Sequence, residues 1–120
     1  MEQANFDVRN FMMLFKHTVN KRNEPQAELY GNLVEEEYNE LIDAETDEDR
    51  LDAICDLIWV LIGLSNSLGY NIQGAWEEVV RSNLSKLGED GHPIFREDGK
   101  VMKGPNFTPP NLTPFVNGKN

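Results

Sequence analysis

Residues 51 to 64, LDAICDLIWVLIGL, restrict this chain more than any other stretch. Between Ala53 and Leu64 the one charge is Asp56. The run is shorter than the ~20 apolar residues a bilayer crossing needs. It is long for a strand and apolar on every side, which predicts a helix buried on most of its surface. A lone carboxylate in such a helix is unfavourable unless it is paired, protonated or bound to a metal. Asp56 is therefore a hydrogen-bonded structural acid or a functional one, and this stretch alone leaves both readings open.

The 120 residues suffice for one domain around a single core. Net charge is −10 and the sequence pI about 4.5, a balance that repels phosphate backbones and speaks against nucleic-acid binding. Bridging cations would still admit nucleotides. Cys55, the single cysteine, allows no intrachain disulfide. Its place in the apolar run predicts a small buried thiol, and the usage fits a reducing, cytoplasmic setting. The N-terminal MEQANFDVRN lacks a basic region followed by an apolar core, so neither a signal peptide nor a membrane partner is expected.

Val8, Phe11, Met12, Phe15 and Val19 fall on one helical face and predict a first helix over residues 6–20, with Asn5 or Asp7 as its cap. His17 lies off that face and reads as solvated. The connector NKRNEP ends in Pro25, suited to the first turn of a second helix over residues 26–44. That helix has the stripe Tyr30, Leu33, Val34 and Leu41, and where position 37 should be apolar it carries Glu37. Glu40 flanks the same face, and Glu36 is one turn from both Leu33 and Glu40. The string LVEEEYNEL thus directs at least two carboxylates towards the core side.

Thr46 or Asp47 caps a third helix that runs to about Leu68 and is closed by Gly69. Asp52 and Asp56 are adjacent rungs on it, while Asp49 reads as exposed. Asn71 opens a fourth helix ending near Leu87, with Gly88 as its stop. Its stripe is Ile72, Ala75, Trp76, Val79, Val80, Leu84 and Leu87, with Asn83 at the edge and Lys86 one turn later. Trp59, Trp76 and Tyr38 read as core residues before stacking residues. From Gly88 the chain turns Gly-, Pro- and Asn-rich, so residues 1–88 are expected to form the helical domain and 89–120 a tail packed on it or closing over it. The tail includes a small hairpin turning at Asp98-Gly99, and Ile94, Phe95, Phe107, Leu112 and Phe115 as docking anchors. Val116 to Asn120 are expected to fray.

Two consecutive helices therefore each bring inward acids, Glu37 and Glu40 from one and Asp52 and Asp56 from the other. Converging carboxylates repel unless a cation neutralises them. Oxygen ligands without a Cys or His cluster favour a hard cation, Mg²⁺ or Mn²⁺. Mg²⁺ takes phosphate oxygens as further ligands, so a phosphorylated small molecule is the natural substrate, with Lys86 and Asn83 facing phosphate or sugar.

Glu36-Glu37-Tyr38-Asn39-Glu40, then an apolar helix with Asp56, then Asn83 and Lys86, resembles the all-α MazG-like nucleoside triphosphate pyrophosphohydrolases. That superfamily includes phosphoribosyl-ATP pyrophosphohydrolase and the all-α dimeric dUTPases and dCTPases. Its mark is an ExxE motif on one helix and an ExxD motif on the next. Glu37 to Glu40 match the first outright. In the second, Ala53 stands three residues before Asp56 in place of Glu, and Asp52 is positioned to supply the missing oxygen. The segment RSNLSKLGEDGHPIFREDGKVMKGPNFTPPNL resembles the C-terminal block of a phage and bacterial branch described as phosphoribosyl-ATP-pyrophosphohydrolase-like.

The resemblance implies a four-helix MazG-like bundle completed by oligomerisation, as a homodimer or homotetramer. It implies hydrolysis between the α and β phosphates of a (deoxy)nucleoside triphosphate, giving the monophosphate and pyrophosphate and shaping the nucleotide pool. Glu37, Glu40, Asp52 and Asp56 would hold Mg²⁺. Catalytic roles would fall to Glu36, Glu37 and Lys86, with Glu36 as a partner or base for the water, and Asn83 and Lys86 would contact the substrate. Two other readings stay open: phosphoribosyl-ATP hydrolysis, and a non-enzymatic acidic helical module that dimerises and binds a basic partner.

Overall fold

A computed structural model describes residues 1–116. Four helices carry the chain: α1 (Glu2–Leu14), α2 (Glu24–Asp43), α3 (Asp47–Ser67) and α4 (Ile72–Leu84), followed by a 3-10 turn at Thr113–Phe115. The expected all-α class with four helices is what the structure shows. Among the described residues the one β feature is an antiparallel bridge between Phe95 and Val101. The fraying expected at the C-terminus concerns, for 117–120, positions outside the described residues. By its contacts the chain divides into two compact units, Met1–Gln73 joined by Phe115 and Val116, and Gly74–Pro114.

The first unit is built on the hairpin of α2 and α3, joined by three residues after Asp43. Asn23 caps α2 by accepting from the Gln26 N–H at 3.2 Å, and Pro25 sits in its first turn. Thr46 caps α3 by accepting from the Asp49 N–H at 3.1 Å, and Gly69 ends it with a φ of 75°. Val8 and Met12 of α1 join Tyr30, Val60 and Ile62 in the buried core.

Helix α1 differs most from expectation. It starts at Glu2 without a side-chain cap and stops at Leu14, short of residue 20. A Schellman arrangement ends it: the His17 N–H donates to the Met12 carbonyl at 2.7 Å, and the Lys16 N–H to the Met13 carbonyl at 3.2 Å. The left-handed position, usually glycine, is Lys16 with a φ of 68°, so the sequence carries no stop signal there. Val19 still reaches the core, from the loop. Helix α4 also ends early, at Leu84 and not Leu87. The Ser85 hydroxyl donates to the Ser82 carbonyl at 2.6 Å, which competes with the helical ladder.

In the second unit the tail docks on α4 through polar contacts more than through the expected apolar anchors. Ser82 Oγ donates to the Thr108 carbonyl at 2.8 Å, and Glu78 accepts from the Asn111 N–H at 2.7 Å. Arg81 pairs with Glu78 at 2.7 Å and donates to Thr108 Oγ1 at 2.6 Å. Of the expected anchors, Ile94, Phe95 and Leu112 stay exposed, while Phe107 and Phe115 are half-buried. The expected turn at Asp98-Gly99 is present, with Gly99 at a φ of 88°.

Helix α3 packs tightly against α2 at Gly63. A Cβ there would lie 2.2 Å from Cε1 of Tyr30, itself buried. Gly63→Ala is expected to lower stability by about 1–3 kcal/mol of overpacking, less the ~1 kcal/mol by which alanine favours a helix over glycine. A urea midpoint equal to that of the wild type would show that the Tyr30 ring moves aside freely.

Candidate active site

Glu37 lies six residues before the end of α2 and Asp56 nine residues after the start of α3, and the hairpin brings their carboxylates together. Glu40 sits one turn closer to the connector. One carboxylate oxygen from each of Glu37, Glu40 and Asp56 lies within 4.8 Å of the others. Glu37 and Asp56 are half-buried and Glu40 is exposed. Ala53, buried at the level of Glu40, lines an acidic cleft of about 300 Å³ together with Glu40, Asp43, Asp49 and Asp52.

Glu37 is pushed up to about 7, first by burial, then by a hydrogen bond with Glu40 and by the negative charges of Glu40, Asp56 and Glu36. Its Oε2 is buried without a hydrogen-bond donor. Glu40 is an acceptor too, so a bond between the two needs a proton on one of them. Asp56 is raised by burial, by the charges of Asp52 and Glu40, and by a hydrogen bond with Asp52. Among the described residues no salt bridge reaches Glu37, Glu40, Asp52 or Asp56. Close acids with an orphaned buried oxygen and no basic partner are a donor set that fits a hard cation.

These shifts carry a sign. Without metal the folded protein keeps a proton on Glu37 that the unfolded chain releases near 4.5. Stability in chelator should then fall as pH rises from 4.5 to about 7, and level off above. Glu78, held at about 2 by Arg81 and the Asn111 N–H, acts oppositely and only at lower pH. Melting temperatures in chelator at pH 5 and pH 8 should differ in the wild type, and less in Glu37→Gln. Equal slopes in the two proteins would contradict the assignment.

Asp52 is exposed beside Asp56 and stands outside the group of three oxygens. Glu36 is exposed and acts on Glu37 through its charge. Asn83 and Lys86 belong to the second unit, Asn83 near the end of α4 and Lys86 in the turn beyond it, where its carbonyl accepts from the Gly104 N–H at 2.8 Å.

Several side chains depart from the sequence reading. Cys55 is exposed, not buried, because it lies on a face of α3 that the chain leaves open. Tyr38 and Trp76 are about half exposed and are not core residues, whereas Trp59 packs against the core. His17, read as solvated, is half-buried and bonded to the Tyr30 hydroxyl at 2.9 Å. No spacing rule finds such a residue, because the turn at Lys16 brings it inward.

A two-helix hairpin presenting ExxE against an aspartate, in an all-α chain, is the arrangement of a MazG-like nucleotide pyrophosphohydrolase. The sequence model of the phosphoribosyl-ATP pyrophosphohydrolase family matches residues 8–83, more than half of the chain, and the chain belongs to that family. It is thus a pyrophosphohydrolase of the MazG-like all-α superfamily, in which a divalent metal is the general rule. No curated protein matches the chain. Among the described residues no single helix is long and apolar enough to cross a membrane.

Proposed function

We propose that the protein hydrolyses a (deoxy)nucleoside triphosphate between its α and β phosphates, releasing the monophosphate and pyrophosphate, and so shapes or cleans the nucleotide pool. The observation that carries this reading is the convergence of Glu37, Glu40 and Asp56 around the orphaned Oε2 of Glu37. Mg²⁺, with Mn²⁺ as a substitute, would supply the charge that holds a triphosphate and activates a water. Glu37, Glu40 and Asp56 would hold the cation, with Asp52 alongside as a further oxygen donor. Glu36, exposed one residue from Glu37, is free to accept a proton from the attacking water. Substrate contacts by Asn83 and Lys86 follow from the family resemblance. The net charge of −10 favours a nucleotide bridged by cations over a nucleic acid, and cytoplasmic action as a dimer or tetramer completes the proposal.

The test is pyrophosphate release in Mg²⁺ across the deoxy- and ribonucleoside triphosphates, with phosphoribosyl-ATP beside them, paired with calorimetry of Mg²⁺ binding. Metal-dependent release from at least one triphosphate is expected. Release from phosphoribosyl-ATP alone would move the protein to the other substrate class, and no Mg²⁺ binding at millimolar concentration would refute the site.

A further inference from the structure

Next to the acids, within the first unit, is a cavity of about 340 Å³ whose wall includes both Glu37 and Asp56. Its size falls within the ~300–1,000 Å³ of small-molecule sites. The rest of its wall is of another character: Phe11, Leu33, Trp59 and Val60 are apolar, and His17 and Tyr30 form one polar pair. The Phe11 and Trp59 rings meet edge to face, centroids 5.4 Å apart, and Phe11 meets the His17 ring likewise at 6.5 Å. An aromatic pocket beside acids that would hold a metal and its phosphates suits the base of a nucleotide.

His17 Nδ1 lies 2.9 Å from the Tyr30 hydroxyl. Tyr30 is 2% exposed, and its burial raises the phenol, so the hydroxyl keeps its proton and needs an acceptor. His17 Nδ1 is that acceptor when the imidazole is neutral, which puts the ring proton on Nε2. When the imidazole is charged, Nε2 carries a proton as well. In either state His17 has a donor at Nε2. The one arrangement without it would strand the buried Tyr30 proton. Both members of the pair are fixed: Tyr30 by the close approach of Gly63, and His17 by the left-handed turn at Lys16.

We propose that this cavity seats the nucleobase and that His17, oriented by Tyr30, is a specificity-determining donor that selects bases carrying an exocyclic carbonyl oxygen. Thymine and uracil (O2 and O4), cytosine (O2) and guanine (O6) have that acceptor; adenine has no carbonyl and offers only ring nitrogens beside its amino donor. The inference rests on the proposed triphosphate hydrolysis and names its substrate class. It ranks adenine nucleotides, phosphoribosyl-ATP among them, as the poorer substrates.

The experiment measures kcat/KM for pyrophosphate release from dTTP, dUTP, dCTP, dGTP and dATP in the wild type, His17→Ala, His17→Gln and Tyr30→Phe. The best carbonyl-bearing substrate should exceed dATP roughly tenfold, the worth of one hydrogen bond. His17→Ala should bring that ratio to within about threefold, mainly through KM, and His17→Gln, which keeps an N–H donor, should restore part of it. Tyr30→Phe retains the ring against Gly63 and should weaken the preference without unfolding the protein. A dATP preference, or an unchanged ratio in His17→Ala, overturns the proposal. Quenching of Trp59 fluorescence in a Trp76→Phe background, with dTMP against dAMP, reads base selection without hydrolysis. Tighter dTMP binding that His17→Ala removes supports the pocket even if no triphosphate is cleaved, and equal or absent binding refutes it.

Discussion

Asp56→Asn is expected to abolish hydrolysis in Mg²⁺ and to raise the melting temperature measured in chelator. The loss of activity should exceed the roughly tenfold to hundredfold cost of disturbing a residue that only supports a metal ligand. The gain in stability has a separate cause. Asp56 is half-buried on an apolar helix, and the polar groups that shift it, Asp52 and Glu40, are acids. An amide removes that repulsion and is easier to bury than a carboxylate. An acid kept for its hydrogen bonds predicts the reverse, a lower melting temperature and activity lost only through unfolding. Denaturation in chelator beside one activity assay in Mg²⁺ separates the two. A mutant that is folded and fully active would remove Asp56 from the site.

Legibility followed periodicity. Helix α2 could be placed from the sequence by Pro25 in its first turn and the stripe Tyr30, Leu33, Val34 and Leu41, and α3 by its Thr46 cap, its continuous apolar run and Gly69 at its end. Glu37 was legible as an interruption in the α2 stripe and Asp56 as the one charge in the α3 run. What escaped depends on structure without a sequence signature. Lys16 takes a conformation that glycine would have announced, and that one residue shortens α1 and turns His17 inward. Ser82 and Ser85 end α4 through carbonyls of the tail and of the helix itself, which no count of apolar positions predicts. Cys55 and Trp76 read as core because the pattern marks which residues are apolar, and says nothing of which face their own chain covers.

The uncovered face of α3 leads to a second large effect. Leu51, Ile54, Ile58 and Leu61 recur at helical spacing and are 62%, 40%, 49% and 45% exposed. A helix apolar all round was expected to be buried on most of its surface, and one chain covers only part of it. Full burial of a Leu or Ile side chain contributes about 1.5–3 kcal/mol, so covering this half-exposed row is worth on the order of 1 kcal/mol per residue. A stripe on a single helix matches a second copy of itself about a two-fold axis, the commonest symmetry of soluble oligomers. Ile58→Glu would set two like charges together in that interface while adding a charge that the isolated chain tolerates. The wild type is expected to scatter light as a dimer or larger at micromolar concentration, and Ile58→Glu as a monomer with unchanged helical content. Cys55 gives an independent readout, since it lies on the same open side of α3. Its thiol should react slowly with a disulfide reagent in the wild-type assembly and quickly in Ile58→Glu. Hydrolysis should fall with the assembly where the partner chain completes the site. A monomeric wild type, or equal Cys55 reactivity in both proteins, would leave the stripe without this partner.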